Sequence, residues 1–242
     1  MPPRDSSEET VYQAASSGLR RWLTRARNAV MAPWRSVRAM PNPQEIRSTE
    51  PEWRAEVERI ANALTPALRE GWAALNLPPD YPSNDPYIQA NLALTKNLLV
   101  RIPDETHAMV VKEILEGTVA QETTAQIAAR VEDVLTYTGS ENWDGRARLI
   151  AATETQRHFN SSMLAHGLLL ERDGRRDLTK QWDTRMDQRE RPWHHDANGQ
   201  VRALSQLFIV GGEGLLFPVD PRGRPDNVIS CRCNLRILGG FS

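Results

Sequence analysis

Apolar residues recur at intervals of three and four along the middle of this chain, and that spacing places side chains on one face of an α-helix. The first clear series consists of Val57, Ile60, Leu64, Leu68 and Trp72. Pro66 falls inside the series, so we expect a kink there, because proline removes a backbone hydrogen bond. The following stretch, "LNLPPDYPSNDP" at 75–86, is rich in turn-forming residues and predicts a loop.

Similar spacing predicts further helices beyond this loop. Their expected positions are about 87–101, 104–116, 121–136 and 143–172. Asp104 is typical of an N-cap, and Gly117 and Gly139 are typical of C-caps. One face of the last helix carries Leu149, Ala152, Phe159, Met163 and Leu170. Glu154 falls on the opposite face, where we expect it to pair with Arg157 or His158 at the surface.

The pattern changes after Arg172, where charged turns and glycines replace the helical series. "LTKQWDTRMD" predicts a strand and its exit, and Asn198-Gly199 is typical of a hairpin turn. The sequence therefore predicts an α+β protein, mainly helical in its N-terminal and central region, with a small, loop-rich α+β module at the C-terminus. The expected segments are a basic arm and linker at 1–50, a helical domain at 51–172 and the module at 173–242.

The N-terminal segment combines a polar start with a strongly basic stretch. Residues 1–10 are typical of a disordered tail, and residues 11–40 have helical character with Pro33 as a break. Residues 11–40 contain six arginines and no Asp or Glu. We expect this arm to bind a partner, either an acidic groove on a protein, which we favour, or the phosphates of DNA. The alternative is an amphipathic helix that packs on its own domain. The candidate binding residues are Arg20, Arg21, Trp22, Arg25, Arg27, Trp34, Arg35 and Arg38.

The whole chain carries a formal net charge of −1, which provides no general attraction to nucleic acid or membranes. The sequence contains no uninterrupted apolar run of the roughly 18 residues that a membrane span needs. The N-terminus, "MPPRDSSEET", lacks the apolar core of a signal peptide. We therefore expect a protein made in the cytoplasm, with no membrane partner.

The two cysteines, Cys231 and Cys233, are one residue apart, and three interpretations of them remain open. With His194 or His195 they form a candidate zinc site, because zinc binds sulfur and imidazole nitrogen. A thiolate beside a histidine would instead be a candidate nucleophile. The interpretation that we favour is packing, with both thiols on one face of a strand and Asp187 accepting hydrogen bonds from a buried arginine.

The order of polar residues in the module is distinctive. The series consists of Trp182, Asp187, Arg189, Arg191, His194, Gly199, Phe208, Pro218, Cys231, Arg232 and Cys233. Upstream, "RLIAATETQRHFN" contains Thr153, Glu154 and Thr155. Together these residues resemble the phage Mu F-like head morphogenesis family over about residues 105–238. Ser230 departs from the family, which often has Asn at that position.

The resemblance implies a minor capsid protein of a tailed bacteriophage or a gene-transfer particle, located inside the head at the portal vertex. It implies the portal protein as a partner, with adaptor or major capsid proteins and double-stranded DNA, bound without sequence preference, as further candidates. It also implies a non-enzymatic protein whose motif residues are structural, and no cofactor beyond the candidate zinc ion. The main alternative is a toxin-like enzyme that processes nucleic acid or modifies nucleotides through Glu154, Asp187 and His194. A third possibility is a binding module that never enters a virion.

Overall fold

The computed structural model describes the backbone of residues 3–239 and the side chains of residues 6–239. The chain up to Arg172 consists of helices and their connecting loops, and short strands and short helices follow it. The helices before that point are α1 (Pro3–Val37), α2 (Glu45–Ser48), α3 (Glu50–Ala63), α4 (Thr65–Ala73), α5 (Pro86–Leu99), α6 (Ile102–Val119), α7 (Thr124–Val134) and α8 (Trp143–Arg172). The predicted helices and the 75–86 loop are confirmed. The series that contains Pro66 is divided at Leu64 into α3 and α4, and Pro66 lies in the first turn of α4.

The C-terminal module contains short strands and two short helices. Its elements are β1 (Thr179–Asp183), α9 (Pro192–Ala197), β2 (Val201–Ala203), β3 (Phe208–Val210), β4 (Glu213–Leu215), α10 (Pro225–Val228) and β5 (Asn234–Leu238). In the first sheet β1 lies between β2 and β5, and both neighbours are antiparallel to it. The strands β3 and β4 form a separate antiparallel hairpin. The predicted α+β class and the predicted strand at β1 are confirmed.

Two compact units divide the described chain. One unit comprises the described residues up to Thr10, Ala63–Leu94 and the described residues from Ala151 onward. The other comprises Val11–Asn62 and Thr95–Ile150. Each unit is built from separate stretches of chain, whereas the predicted segments 1–50, 51–172 and 173–242 are consecutive. Within the described residues, no helix has the length and apolarity that crossing a bilayer requires.

The core of the first unit lies between α8 and the strands of the module. Its largest members are Phe159, Trp182, Phe208 and Phe217. Trp182 on β1 contacts the ring of Phe208 on β3 with the centroids 5.5 Å apart. Helix α4 approaches α8 closely at Gly71, since a Cβ at this position would lie 2.1 Å from the carbonyl oxygen of Phe159.

The N-terminal segment differs from the prediction. Residues 3–10 are helical rather than disordered, while residues 1–2 lie outside the described residues. Helix α1 continues through Pro33 to Val37, because its buried apolar face offsets the one hydrogen bond that proline removes. The expected linker after it contains α2, whose Ile46 is buried.

Three predicted helix caps were wrong. Helix α6 begins at Ile102 with Pro103 in its first turn, so Asp104 is not the N-cap. Gly117 lies inside α6, where its missing side chain admits α7: a Cβ there would lie 2.7 Å from Ile127 Cγ1. Gly139 lies beyond the C-cap of α7, which is Leu135.

Asn198-Gly199 does not connect two strands of a hairpin, because α9 lies between β1 and β2. The pair instead ends α9 and bonds to the end of β1 and the residue after it. The Asn198 Oδ1 atom accepts from the amide of Thr184 at 3.0 Å, and the Gly199 amide donates to the carbonyl of Trp182 at 2.8 Å. Gly199 has a φ of +78°, a conformation that glycine adopts without steric conflict.

Candidate functional site

The two cysteines lie in the extended segment just before β5 and converge on one imidazole nitrogen. Cys231 and Cys233 are 2% and 3% exposed, and their sulfurs lie 3.6 and 3.4 Å from Nδ1 of His194. His194 is itself buried in α9, which starts at Pro192, a residue suited to a first helical turn. The predicted alternation is present, with Arg232 turned outward, but the cysteines precede the strand rather than belonging to it.

Asn227 determines which nitrogen of His194 faces the sulfurs. Its Nδ2 atom donates to the carbonyl of Val210 at 3.0 Å and to the carboxylate of Glu213 at 2.7 Å. Its Oδ1 atom must therefore be the atom that faces Nε2 of His194, 2.7 Å away. An amide oxygen only accepts hydrogen bonds, so His194 Nε2 carries a proton and Nδ1 is left for the sulfurs.

The pKa values of the three side chains depend on one another. The pKa of Cys231 is lowered to about 5, first by the hydrogen bond from the Cys233 side chain and then, against the effect of burial, by His194. The pKa of Cys233 is raised, first by Cys231 and then by burial. Burial lowers the pKa of His194, but the contact with Cys231 raises it above its ordinary value. One thiolate is thus favoured at Cys231, and a second at Cys233 is opposed.

Asp187 and Arg232 join the loop after β1 to residues 229–233, which we call the cysteine segment. Both guanidinium nitrogens Nη1 and Nη2 of Arg232 donate to the Asp187 carboxylate, which lowers the pKa of Asp187 to about 2. The side chains are 30% and 38% exposed, so the expectation of a buried arginine was wrong. The reason is that the outward turn of Arg232 places the pair at the surface.

The other arginines of the predicted motif act differently from one another. Arg189 contributes its backbone amide, which donates to Asp187 Oδ1 at 2.9 Å and closes a tight turn. Arg191 donates from Nη2 to the carbonyl of Ile229 at 2.6 Å. The loop that carries these residues is thus attached to the cysteine segment by both Asp187 and Arg191.

Helix α8 contributes buried polar side chains to the same region. Thr153 Oγ1 accepts from the amide of Ser230 at 3.1 Å. Arg157 bonds to both carboxylate oxygens of Glu154, and its Nε donates to the carbonyl of Val219 at 3.1 Å. The prediction that Glu154 lies at the surface was wrong, because the module covers this part of α8. The pairing with Arg157 was predicted correctly.

Gln156 and Asn160 extend this set, and neither was singled out from the sequence. Gln156 Nε2 donates to the carbonyl of Cys233 at 2.8 Å, and Asn160 Nδ2 donates to the same carbonyl at 3.1 Å. Asn160 also accepts from the amide of Leu235 at 3.0 Å. The available signal was their spacing of four residues, which places both amides on one side of the helix beside Thr153.

The N-terminal arginines are held by partners within their own unit. Trp22 is fully buried, and its indole Nε1 donates to Thr49 Oγ1 at 2.9 Å. The paired arginines are Arg21 with Glu56 at 2.6 Å, Arg25 with Glu52 at 3.2 Å and Arg35 with Glu132 at 3.0 Å. Arg20 lies over the ring of Tyr137, and Arg27 bonds to Thr136. Arg38 lies over the ring of Trp34, which is partly buried. This geometry favours the alternative, a helix packed on its own domain.

The three residues of the alternative enzyme have separate partners. Glu154 pairs with Arg157, Asp187 with Arg232, and His194 with the cysteines. Among residues whose side chains are described, the one group of at least three potential metal-binding side chains of the types His, Cys, Asp and Glu is His194, Cys231 and Cys233. Glu154 and Asp187 are not part of it.

The fold and the site together define a helical protein whose C-terminal module is joined through polar bonds to its longest central helix, α8. A family model described as "Phage Mu protein F like protein" matches residues 104–236, more than half of the chain. The chain therefore belongs to this family, as its sequence suggested. No curated protein and no solved structure matches the chain significantly.

Proposed function

We propose that this protein is a minor capsid protein of a tailed bacteriophage or related gene-transfer particle, and that it binds the portal protein inside the head. The family match over residues 104–236 carries the proposal, because this family is one of phage head morphogenesis proteins. A role in head morphogenesis and a place in the virion follow from the family. The portal as partner and the position at the portal vertex are the finer parts of the proposal.

The bonding of the motif residues supports a structural role for them. Asp187 and Arg191 hold the loop after β1 to the cysteine segment, and Thr153 and Arg157 hold that segment and Val219 to α8. Such bonds make a rigid module with a defined surface, which is what a protein of an assembled particle needs for docking. The proposal is accordingly non-enzymatic.

The β3–β4 hairpin offers an apolar surface that suits a protein partner. Leu207 and Ile209 are exposed while Phe208 and Val210 are buried, so the first two point away from the core. Trp193 lies against the turn of the same hairpin, since a Cβ at Gly211 would be 2.8 Å from its indole ring. Exposed aromatic and aliphatic side chains that a partner can bury dominate many protein interfaces. We call Trp193, Leu207 and Ile209 the hairpin surface.

DNA receives less support as the partner of the N-terminal arginines. Arg21, Arg25 and Arg35 each have a glutamate within salt-bridge distance, and that carboxylate would compete with a phosphate. Phosphate binding depends on cationic side chains that are free to neutralise phosphates, which releases the counterions condensed on the DNA. The proposal therefore commits to the portal protein.

The test is co-expression with the portal protein encoded by the same phage or prophage, followed by affinity purification. We expect the two proteins to co-purify, and we expect Ile209→Lys to weaken association by about tenfold or more, as the loss of an interface anchor does. Val119→Lys is the matched control, because Val119 is an exposed apolar residue on α6 in the other unit.

Absence of co-purification, with both proteins folded, would contradict portal binding. Association with adaptor or major capsid protein, or salt-sensitive retention of DNA in its place, would replace the portal as partner. Equal binding by Ile209→Lys and wild type would remove the hairpin surface from the proposal.

A further inference from the structure

We propose that the C-terminal module binds one structural zinc ion through His194, Cys231 and Cys233, with the Glu190 carboxylate as the fourth ligand. This inference is independent of the proposed function, since a zinc ion would stabilise the module whichever partner it binds. Zinc in structural sites is almost always bound by four ligands in a tetrahedral arrangement, and Cys, His and Glu are all established ligand types.

The two sulfur–nitrogen distances among the three ligand atoms are those of a tetrahedral site. Zinc–sulfur bonds of about 2.3 Å and zinc–nitrogen bonds of about 2.0–2.1 Å, at tetrahedral angles, separate sulfur from nitrogen by roughly 3.6 Å. The sulfurs of Cys231 and Cys233 lie 3.6 and 3.4 Å from Nδ1 of His194. All three atoms lie within 4.8 Å of one another, so one ion reaches all of them without movement of the backbone.

Asn227 gives His194 the orientation that metal-binding histidines require. The nitrogen of a ligating imidazole that does not touch the metal almost always donates to an oxygen, which fixes the ring and its tautomer. Here Nε2 donates to Asn227 Oδ1 at 2.7 Å, and Nδ1 faces the sulfurs. Asn227 is held in turn by Val210 and Glu213.

Two explanations fit the arrangement of the three side chains, a bound metal ion and a shared proton, and Glu190 distinguishes between them. A proton shared among His194, Cys231 and Cys233 would also hold two sulfurs at one nitrogen. It would leave unexplained the carboxylate of Glu190, whose two oxygens are both buried without a hydrogen-bond partner in the part of the chain that the structure describes. A buried, unpaired carboxylate is strongly unfavourable, and a cation beside it removes the penalty.

Glu190 lies near the group of His194, Cys231 and Cys233 without belonging to it. Its carboxylate is not within 4.8 Å of all three ligand atoms, so its side chain turns toward the ion when zinc binds. Glu190 lines one small cavity together with His194 and Cys233, and its charge helps to raise the pKa of Cys233. The cavity volume is about 20 Å³, enough for a single ion or water molecule and far too small for a substrate. Two thiolates, a carboxylate and one divalent ion carry a net charge of −1 together, and the positive charge of Arg191, which also lines the cavity, offsets it.

The chemistry of binding is balanced within the site. Without metal, the two thiols and Nδ1 of His194 hold two protons between them while Nε2 keeps its own. Binding of one Zn²⁺ releases those two protons and forms two sulfur–zinc bonds, one nitrogen–zinc bond and one oxygen–zinc bond to Glu190, in place of the water molecules that the ion loses. No oxidation or reduction takes place.

The first experiment measures metal in the full-length wild-type protein, expressed with added zinc and purified without chelators. We expect one zinc per chain by elemental analysis. Replacement by Co²⁺ should give the sulfur-to-cobalt charge-transfer band and the visible bands of a tetrahedral ion. A protein without zinc that also gives no such bands with cobalt would overturn the proposal and leave the shared proton as the explanation.

Variants then assign the ligands. His194→Gln should abolish zinc binding, while His195→Gln, a change in the exposed neighbouring residue, should leave it intact. Glu190→Gln should weaken zinc binding by at least about tenfold, the lower end of the effect of removing even an outer-shell partner. The control for charge is Asp196→Asn in α9, whose side chain is 83% exposed. A folded Glu190→Gln protein with wild-type affinity and cobalt spectrum would refute Glu190 as the fourth ligand.

Discussion

Glu154 and Arg157 lie one helical turn apart on α8, and their side chains are only 7% and 3% exposed. The guanidinium Nη1 of Arg157 lies 2.7 Å from each carboxylate oxygen of Glu154. Its Nε reaches out of the helix to the carbonyl of Val219 at 3.1 Å. A buried ion pair on one helix therefore also holds a loop of the C-terminal module.

Removal of one member of this pair should destabilise the protein severely. We expect Glu154→Gln to lower the free energy of unfolding by about 3–5 kcal/mol, because Arg157 would remain buried without its counter-charge. Urea denaturation followed by circular dichroism measures the change. Glu171→Gln near the end of the same helix is the control. A loss below about 1 kcal/mol would indicate that the pair opens to water.

Trp22 should behave as a core residue rather than as an anchor for a partner. Its ring contacts that of Trp53 with the centroids 5.3 Å apart, and it is fully buried. Trp22→Ala should therefore lower the free energy of unfolding by about 3–5 kcal/mol, the usual cost of emptying an aromatic core position. Trp34→Ala, at a partly buried position of the same helix, should have a much smaller effect in the same melts. Equal effects of the two changes would contradict the packing described.

Gly71 should tolerate no side chain. A Cβ there would lie 2.1 Å from the carbonyl oxygen of Phe159, and a backbone atom in the middle of α8 does not move aside. Gly71→Ala should lower the free energy of unfolding by at least about 1–3 kcal/mol, as overpacking does. Gly167→Ala on α8, where the nearest side-chain atom would be at 3.4 Å, should be neutral or stabilising because alanine favours helices. Thermal melts that rank the two variants the other way would exclude this close approach.

Lys180 should make stability depend on pH in the alkaline range. Burial lowers the pKa of Lys180 from 10.5 to about 7, and its ammonium donates to the carbonyl of Leu216 at 2.7 Å. Between these two values the unfolded chain holds a proton that the folded chain lacks, so the contribution of Lys180 to stability rises with pH. It is least favourable below about pH 7.

Comparison with Lys180→Met isolates this contribution. The free energy of unfolding of the wild type, relative to that of Lys180→Met, should rise by at most about 1.4 kcal/mol per pH unit from pH 7 to pH 10. Denaturation curves at several pH values measure it. Lys112→Met, at an exposed lysine, should show no such trend. A flat difference for Lys180→Met would mean that the ammonium is solvated in the folded protein.

The helices could be predicted from the sequence because the spacing of apolar residues reflects contacts only three or four positions apart. Spacing along the sequence could not predict the partners of the arginines in the basic arm. Arg21, Arg25 and Arg35 looked unpaired because their glutamates, at positions 56, 52 and 132, are 27 to 97 residues away. Pairing at such distances depends on the tertiary fold, which spacing alone does not reveal.

The candidate site could be predicted in part. The order of Asp187, His194 and Cys231 indicated residues that the fold brings to one region. Glu154 was placed at the surface because helical periodicity identifies one apolar face but not what covers the other face. Glu190 was not predicted as a site residue, because one acidic residue among arginines is typical of an ordinary surface loop. The burial of its carboxylate depends on the tertiary fold.

The way in which α8 holds the cysteine segment affects which residues can vary. Gln156 and Asn160 both donate to the carbonyl of Cys233, Asn160 accepts from the amide of Leu235, and Thr153 accepts from the amide of Ser230. These bonds are made to main-chain groups, which every amino acid except proline supplies in the same way. The side chains that fix the position of this segment therefore belong to the helix, about 75 residues upstream, and the segment contributes only main-chain groups to these bonds.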